Sequence, residues 1–542
     1  VRDAGVVPAE LLNRLRDDLA HRRIESGMAR LEACQRLLET LDPAWENAAR
    51  LVGYVAQWAD AGFASPVPVT HLLARFPKAG RAALPLADYV HLRMAEGFAA
   101  MDEEEYAAAI RHFEFVLSVA DEIRDGETVA IANFWIGRSL RNQGRYDDAL
   151  SYTVRAREMA LELGCEKMAA VMQSLESWLL FQKGKLREAA SILEKAEAVL
   201  AGSDDYVLRG NIQSAYGRIA RREGRYDEAV RRFGAAIAEY QKRDPRHRNL
   251  ARSLVNVAFT KRLVALRLHR KVDREAARRD RTGAVSPQFA EERAQCERLR
   301  AEAFAELAQA DGIYRGGHPR HHGEGSVHLN FGYLHLDSGE LDRAGAEAAA
   351  GWQRGVEKKD YILMARARIL ECMVERAKVE EEIGETSRHA QLAYESARDA
   401  VEYARHTQNR RLLVRAYTWP GLALADHFFG NNEAARASLE AAEGLLKSES
   451  HDYVWDDLQA LKTRVQRSGT IDARLREWSQ GLAGGRTLQQ ISEEVAALII
   501  PKVWEREGRK VSRVAAQLSV SPKKVRRILA RAGLLGGSAP SR

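Results

Sequence analysis

Four alanines, Ala109, Ala149, Ala189 and Ala229, stand 40 residues apart, each inside the same local pattern. Three residues before them lie Tyr106, Tyr146, Leu186 and Tyr226, four after lie Phe113, Thr153, Leu193 and Phe233, and twelve before lie Gly97, Gly137, Ser177 and Gly217. Separations of three and four place side chains on one helical face. A small residue recurring opposite large ones is what two antiparallel helices need where they touch. The chain is therefore expected to be all-α, an array of helical hairpins that extends its core repeat by repeat. Arrays of this kind offer a long concave surface, so holding a partner is the expected activity and catalysis is not.

The 542 residues exceed what one compact core serves, and a solenoid removes that difficulty. Basic residues outnumber acidic ones to give a net charge of +7, and their distribution says more than the sum. Between Pro501 and Leu535 stand Lys502, Arg506, Arg509, Lys510, Arg513, Lys523, Lys524, Arg526, Arg527 and Arg531 against only Glu505 and Glu507. That segment holds the whole excess on an otherwise near-neutral body, the electrostatic pattern of a nucleic-acid-binding module. The cysteines Cys34, Cys165, Cys296 and Cys372 form no C-x-x-C pair and read as reduced thiols. No apolar run reaches the ~18 residues of a membrane span, and the first residues do not have the pattern of a signal peptide. A cytoplasmic protein with no membrane partner is expected.

Residues 1–88 contain helical stretches, Leu11 to Leu41 and Pro43 to Ala61, that are out of register with the repeat and fit a diverged cap. Residues 89–465 follow as the array. In one repeat Ile136, Gly137, Leu140, Gly144, Tyr146, Ala149, Thr153 and Ala156, and in another Tyr216, Gly217, Gly224, Tyr226, Ala229, Phe233 and Ala236, fall on the packing positions of the tetratricopeptide (TPR) repeat, which this region resembles. The resemblance implies a TPR-like right-handed α-solenoid. Its unit is longer than that family's ~34 residues, which implies longer helices or loops. A charged stretch near 261–300, broken at Gly283 and Pro287, reads as an extended helical pair projecting from the stack. The pattern resumes at Gly332, Gly339, Leu341 and Ala344, giving roughly seven or eight hairpins.

Linker signals at Gln466 to Thr470 and Gly481 to Gly485 introduce a last unit, residues 466–542. Within it Ser512 is placed to cap a helix with Val514, Ala515 and Leu518 on its apolar face. Ser519-Val520 makes a turn, and Ser521 caps a second helix with Pro522 at its first position. Val525, Ile528 and Leu529 form that helix's buried stripe. The pattern is a helix-turn-helix, and the stretch Val503 to Leu534 resembles the DNA-binding domain of Fis and the enhancer-binding activators. Two departures are Ser519 at the turn glycine and Pro501, expected to interrupt the preceding helix. The resemblance implies double-stranded DNA as partner. Lys523, Lys524 and Arg527 are expected at base edges or nearby phosphate, Arg509, Lys510, Arg513 and Arg531 at the DNA backbone, with Arg526 on the same basic surface. A short module binds weakly alone, so a homodimer is expected, joined through the helix from Leu488 to Ile500.

In the TPR family the first helix of each hairpin lines the concave face. The register puts Arg138 and Arg141, Trp178 and Phe181, and Arg218 and Arg221 there, a basic groove suited to an acidic peptide, a C-terminal carboxylate or a phosphorylated ligand. Solvated arginines and core aromatics are the alternative. His318, His321 and His322 beside Glu324 lack a second ligand-bearing helix and are read as a loop without metal. No phosphate-binding G-x-x-x-x-G-K-[ST] loop, H-E-x-x-H or G-x-S-x-G occurs, so no cofactor and no enzyme activity are expected. The combination points to a bacterial-type transcriptional regulator whose solenoid senses a peptide or protein. The second reading is a non-catalytic scaffold or adaptor, of a defence or secretion assembly, with a basic tail on nucleic acid or protein.

Overall fold

At the four positions where the sequence calls for small residues, the paired helix comes too close for anything larger. A Cβ at Gly97 would lie 2.5 Å from the Phe113 ring, at Gly217 2.8 Å from Phe233, and at Gly137 2.6 Å from Thr153 Oγ1. Ser177 is accommodated because its hydroxyl donates to the Ala189 carbonyl at 2.9 Å. Ala109, Ala149, Ala189 and Ala229 are fully buried at the same crossings. The turn after each first helix reverses through positive φ, at Gly144, Gly184 and Gly224, and Glu104 takes that conformation in the equivalent place.

The structure, a computed structural model, describes residues 5–60, 67–282, 287–316, 322–426, 428–446, 452–468 and 487–535. Every regular element in them is helical, and an isolated bridge joins Val6 to Glu46. Two compact units are present, Val1–Thr463 and Arg464–Arg542.

The first unit is a TPR-like α-solenoid. Its regular hairpins pair Leu86–Asp102 with Tyr106–Ser118, Gly126–Asn142 with Tyr146–Glu162, Glu166–Gln182 with Leu186–Val199, and Tyr206–Arg222 with Tyr226–Arg243. The first helices of these hairpins are 17 residues long, so the 40-residue step is taken up mainly by helix. A long pair follows, Arg248–Thr282 and Pro287–Arg315, tied by Lys261 to Glu302 at 2.7 Å. Then come His322–Asp337 with Leu341–Lys358, Tyr361–Glu380 with Thr386–Arg405, Arg410–Ala425 with Asn432–Leu445, and the single helix Tyr453–Ser468.

The region before 88 reaches the first helices of two later hairpins. The helices Ala9–Ala20 and Ile24–Ala33 are separated by a reversal at Arg22, with φ +51°. Leu11 to Leu41 is thus broken into shorter helices. Arg16 binds Glu127 at 2.7 Å, Arg22 binds Asp205 at 2.7 Å, and the Asp204 carboxylate accepts the amides of Ile24 and Glu25. These contacts hold the segment against the N-terminal ends of two first helices more than 75 residues apart in sequence.

A second long-range contact closes the coil. The Gln408 amide donates to the Gly144 carbonyl at 2.8 Å, and its side-chain oxygen accepts the Asp147 amide at 2.6 Å. Asn409 donates to Tyr146 Oη at 3.4 Å, and Lys358 pairs with Glu104 at 2.8 Å. Hairpins some 260 residues apart thereby meet across the interior.

The second unit's described helices are Leu488–Arg506, Val511–Gln517 and Pro522–Arg531. Ile500, Trp504, Val514, Val525, Ile528 and Leu529 form its core. Two sequence expectations need correction. Ser512 does not cap; the helix opens at Val511 with Lys510 before it and no side-chain cap. Pro501 does not interrupt its helix, which runs on to Arg506. Proline removes one amide donor there, and Ala497, whose carbonyl loses it, lies on the exposed side of the helix, where an unpaired carbonyl costs little. Ser521 Oγ accepts the Lys524 amide at 3.2 Å with Pro522 first in the helix, and Ser519 sits at φ +50°. Of the two linker signals, 466–468 end the helix Tyr453–Ser468, and 469–470 with 481–485 lie outside the described residues.

Candidate ligand cavity and basic helix

The first helices of the hairpins face inward and line a half-open cavity of about 500 Å³. Arg138, Arg141, Trp178 and Arg218 line it, as do Arg248, Arg252 and Arg366 from the later, irregular repeats. The acidic residue in this wall is Asp360, which also caps its own helix by accepting the Leu363 amide at 3.0 Å. An adjoining space of about 200 Å³ is lined by Phe181, Arg221, Arg222, Arg411 and Arg415 and shares Arg218, Arg366 and Asn409 with the first. Six arginines to one aspartate in the larger space is a charge imbalance that two other interior arginines do not share. Arg262 is paired with Asp337 at 2.6 Å and Arg376 with Asp426 at 2.8 Å. Arg141, Arg218, Arg221 and Arg366 have no carboxylate partner among the described residues.

Their partners are neutral. Arg141 donates to Asn142 Oδ1 at 2.8 Å and lies over the Trp178 ring at 5.3 Å. Arg218 donates to Ser214 Oγ at 3.3 Å, and Arg221 to Asn256 Oδ1 at 3.0 Å between Phe233 and Phe259. Arg138 lies 4.3 Å over Trp135. Burial, then Arg138, Arg252 and Arg218, bring Arg141 down to about 9. Burial, with Arg252 and Arg221 nearby, brings Arg218 to about 10, and burial likewise brings Arg221 to about 10. Even so, all remain charged at neutral pH, so the wall is positive and its charges repel one another.

Two further features complete the cavity. Carboxamides of Asn142, Gln182, Asn211, Asn249 and Asn409 stand on its surface, the groups that match a peptide main chain. Phe134, Val171, Val207 and Leu208 lead from it into an adjoining space of about 110 Å³ that takes an apolar group. The six groove residues read from the sequence are thus divided, Arg138, Arg141, Trp178 and Arg218 in the larger space and Phe181 with Arg221 in the smaller. Trp178 is engaged from two sides, by Arg141 and edge-on by Tyr146 at 5.3 Å. Sequence reading missed His247, Arg248, Arg252, Arg366, Arg411 and Arg415. They lie beyond Pro245, where the 40-residue register lapses, and contacts such as those at Gly144 and Tyr146 bring the later repeats against the earlier ones.

In the second unit Arg509, Lys510, Arg513, Lys523, Arg526, Arg527 and Arg531 are exposed and Lys524 is half-buried. Arg527 is not bare: Glu493 accepts from it at 2.7 Å and lies 3.5 Å from Arg531. Arg509 lies over Trp504 at 5.5 Å. Lys523, Lys524 and Arg526 make the open basic surface of the last helix. On the helix Leu488–Arg506, Leu488 is 83% exposed and Ile499 44%, with Ile491, Val495 and Leu498 partly exposed nearby.

His318 and His321 lie outside the described residues, and Glu324 pairs with Arg354 at 3.0 Å. No cluster of histidine, cysteine and carboxylate among the described residues is arranged for a metal. The cysteines are free thiols, with Cys34, Cys296 and Cys372 buried. No described helix is long and apolar enough to cross a membrane.

No family model and no curated protein matches the chain. Among solved structures it is similar to a Rap protein complexed with competence and sporulation factor, with TM-score 0.41, 12% identity, and coverage of 85% of this chain and 99% of that one. A human IFIT1 dimer with m7Gppp-AAAA aligns with TM-score 0.43 and 14% identity over 81% of this chain and 94% of that one. Yeast Tom70 aligns with TM-score 0.36 and 13% identity over 87% and 84%. At such scores and identities these likenesses give this chain neither a ligand nor a role.

Proposed function

We propose that the chain is a ligand-responsive regulator of transcription: its solenoid holds a peptide or protein segment bearing acidic groups, and its C-terminal unit binds double-stranded DNA. The observation that carries the first half is the cavity wall, with arginines converging from several helices and a single aspartate among them. An anion supplied by a partner relieves that repulsion, and charge-assisted bonds to guanidinium groups contribute about 1.5–3 kcal/mol each. The carboxamides beside the arginines favour a peptide as its carrier. Reversing Arg141 and Arg218 to glutamate is expected to abolish capture of a partner from a cell extract in a pull-down; undiminished capture rejects the cavity as the binding site.

Support for the second half is the helix-turn-helix arrangement with Lys523, Lys524 and Arg526 on its open face. Pairing of two copies through the apolar residues of Leu488–Arg506 would present two such helices to one duplex. Lys523→Glu with Lys524→Glu is expected to lower DNA retention in a gel shift by more than about tenfold at moderate salt. Retention equal to the unaltered protein's favours the scaffold reading. Because Glu493 already engages Arg527, the lysines are the cleaner test.

A further inference from the structure

The strongest pointer to what the cavity takes is His247. It is 6% exposed, lies in the cavity wall, and stacks on Tyr240 with ring centroids 5.7 Å apart. Its Nδ1 accepts the Asn249 amide at 3.1 Å, which leaves the ring proton on Nε2. That Nε2 has no hydrogen-bond partner, nor has the buried Nε of Arg218 in the same wall. Buried donors without acceptors are costly, and these two lie behind the surface of the cavity wall and add to its unmet donor capacity. The same wall carries Arg141, Arg252 and Arg366, each from a different helix and each without a carboxylate partner among the described residues. Burial, then Arg248, holds the imidazole neutral, at about 4, so it is a donor here rather than another charge.

A chain of carboxylates spread along an extended peptide would match arginines spaced along the groove. Here the donors converge from four first helices and one helix-preceding turn on a single space. Planar guanidinium forks lining one space suit a tetrahedral group with several oxygens. We infer that this part of the cavity is a phosphoryl site, built by Arg141, Arg218, His247, Arg252 and Arg366 for a doubly charged group with at least three acceptor oxygens. The inference rests on the reading of the cavity as a ligand site and narrows it: the acidic group of the partner is a phosphate, carried either by a small molecule or by a phosphorylated side chain.

Titration of the full chain with inorganic phosphate, followed by thermal melting at constant ionic strength set with chloride, tests this. A concentration-dependent rise in melting temperature beyond the chloride control is expected, and succinate is expected to give at least about tenfold weaker binding. Arg218→Met and Arg366→Met are expected to remove the phosphate response. They are also expected to raise the melting temperature of the ligand-free protein, because each deletes an unpaired interior charge. A residue with a purely structural role would lower it. A second arm compares a short peptide carrying phosphoserine with its serine counterpart. Tighter binding of the phosphopeptide than of free phosphate identifies a phosphorylated partner; equal binding identifies a small phosphate ester. Absence of any phosphate response in the unaltered protein overturns the phosphoryl site. Capture of a partner that depends on Arg141 and Arg218 while phosphate and phosphopeptide have no effect does the same and leaves the ligand cavity standing. Failure of both removes the cavity as a site altogether.

Discussion

At the scale of single residues, the repeat works through space rather than through hydrogen bonds. Gly217 exists because the Phe233 ring occupies the volume a methyl would need, whereas Gly234, on the same hairpin, has nothing within 4 Å of its virtual Cβ. The two glycines are expected to respond oppositely to one added carbon. Gly217→Ala should destabilise the protein by roughly 1–3 kcal/mol through overpacking. Gly234→Ala should stabilise it by roughly 0.5–1 kcal/mol through helix propensity. Urea denaturation of the two variants checks the sign, and a loss at both positions would show that Phe233 is not the limiting contact. Both glycines are visible in the sequence, but only the first falls on the repeat. Glu104 shows the reverse case: the register asks for glycine, yet glutamate accepts positive φ there and pairs with Lys358 across the coil.

At the scale of elements, the C-terminal helices were readable because their signals are local. Ser521 and Pro522 start the last helix where the sequence says they should, since capping depends only on neighbouring atoms. Ser512 misled because a serine one residue inside a helix start looks the same in sequence as a cap. The turn retains a strained residue, Ser519. Ser519→Gly is expected to stabilise the unit by roughly 0.5–1 kcal/mol by relieving left-handed strain, and Ser521→Ala to destabilise it by about 1 kcal/mol. Hydrogen exchange at Val520, whose amide bonds to the Ala515 carbonyl, reports both, slower in the first variant and faster in the second.

At the scale of the solenoid, closure defines the site. The contact between Gly144 and residues 407–409 brings Asp360, Ile362, Arg366 and Asn409 against the helices that carry Arg141 and Arg218. Gln408→Ala removes the acceptor of the Asp147 amide and is expected to speed exchange there by about fivefold or more, as loss of one hydrogen bond worth about 1 kcal/mol predicts. Exchange unchanged at Asp147 would mean that the seam is held by its other contacts. Half of the cavity's arginines were therefore out of reach of sequence reading: Arg138, Arg141 and Arg218 lie in the regular repeats, but Arg248, Arg252 and Arg366 lie where the period has lapsed.

The sequence by itself determined the hairpins, their register and the basic last helix, because each follows from interactions among residues close along the chain or one repeat apart. The tertiary structure alone decided that the concave face becomes a half-open cavity lined from early and late repeats, that His247 lies in the same wall as its arginines, and that Glu493 engages Arg527. Those outcomes depend on the curvature accumulated over many repeats and on side chains meeting from distant segments, which no local pattern encodes.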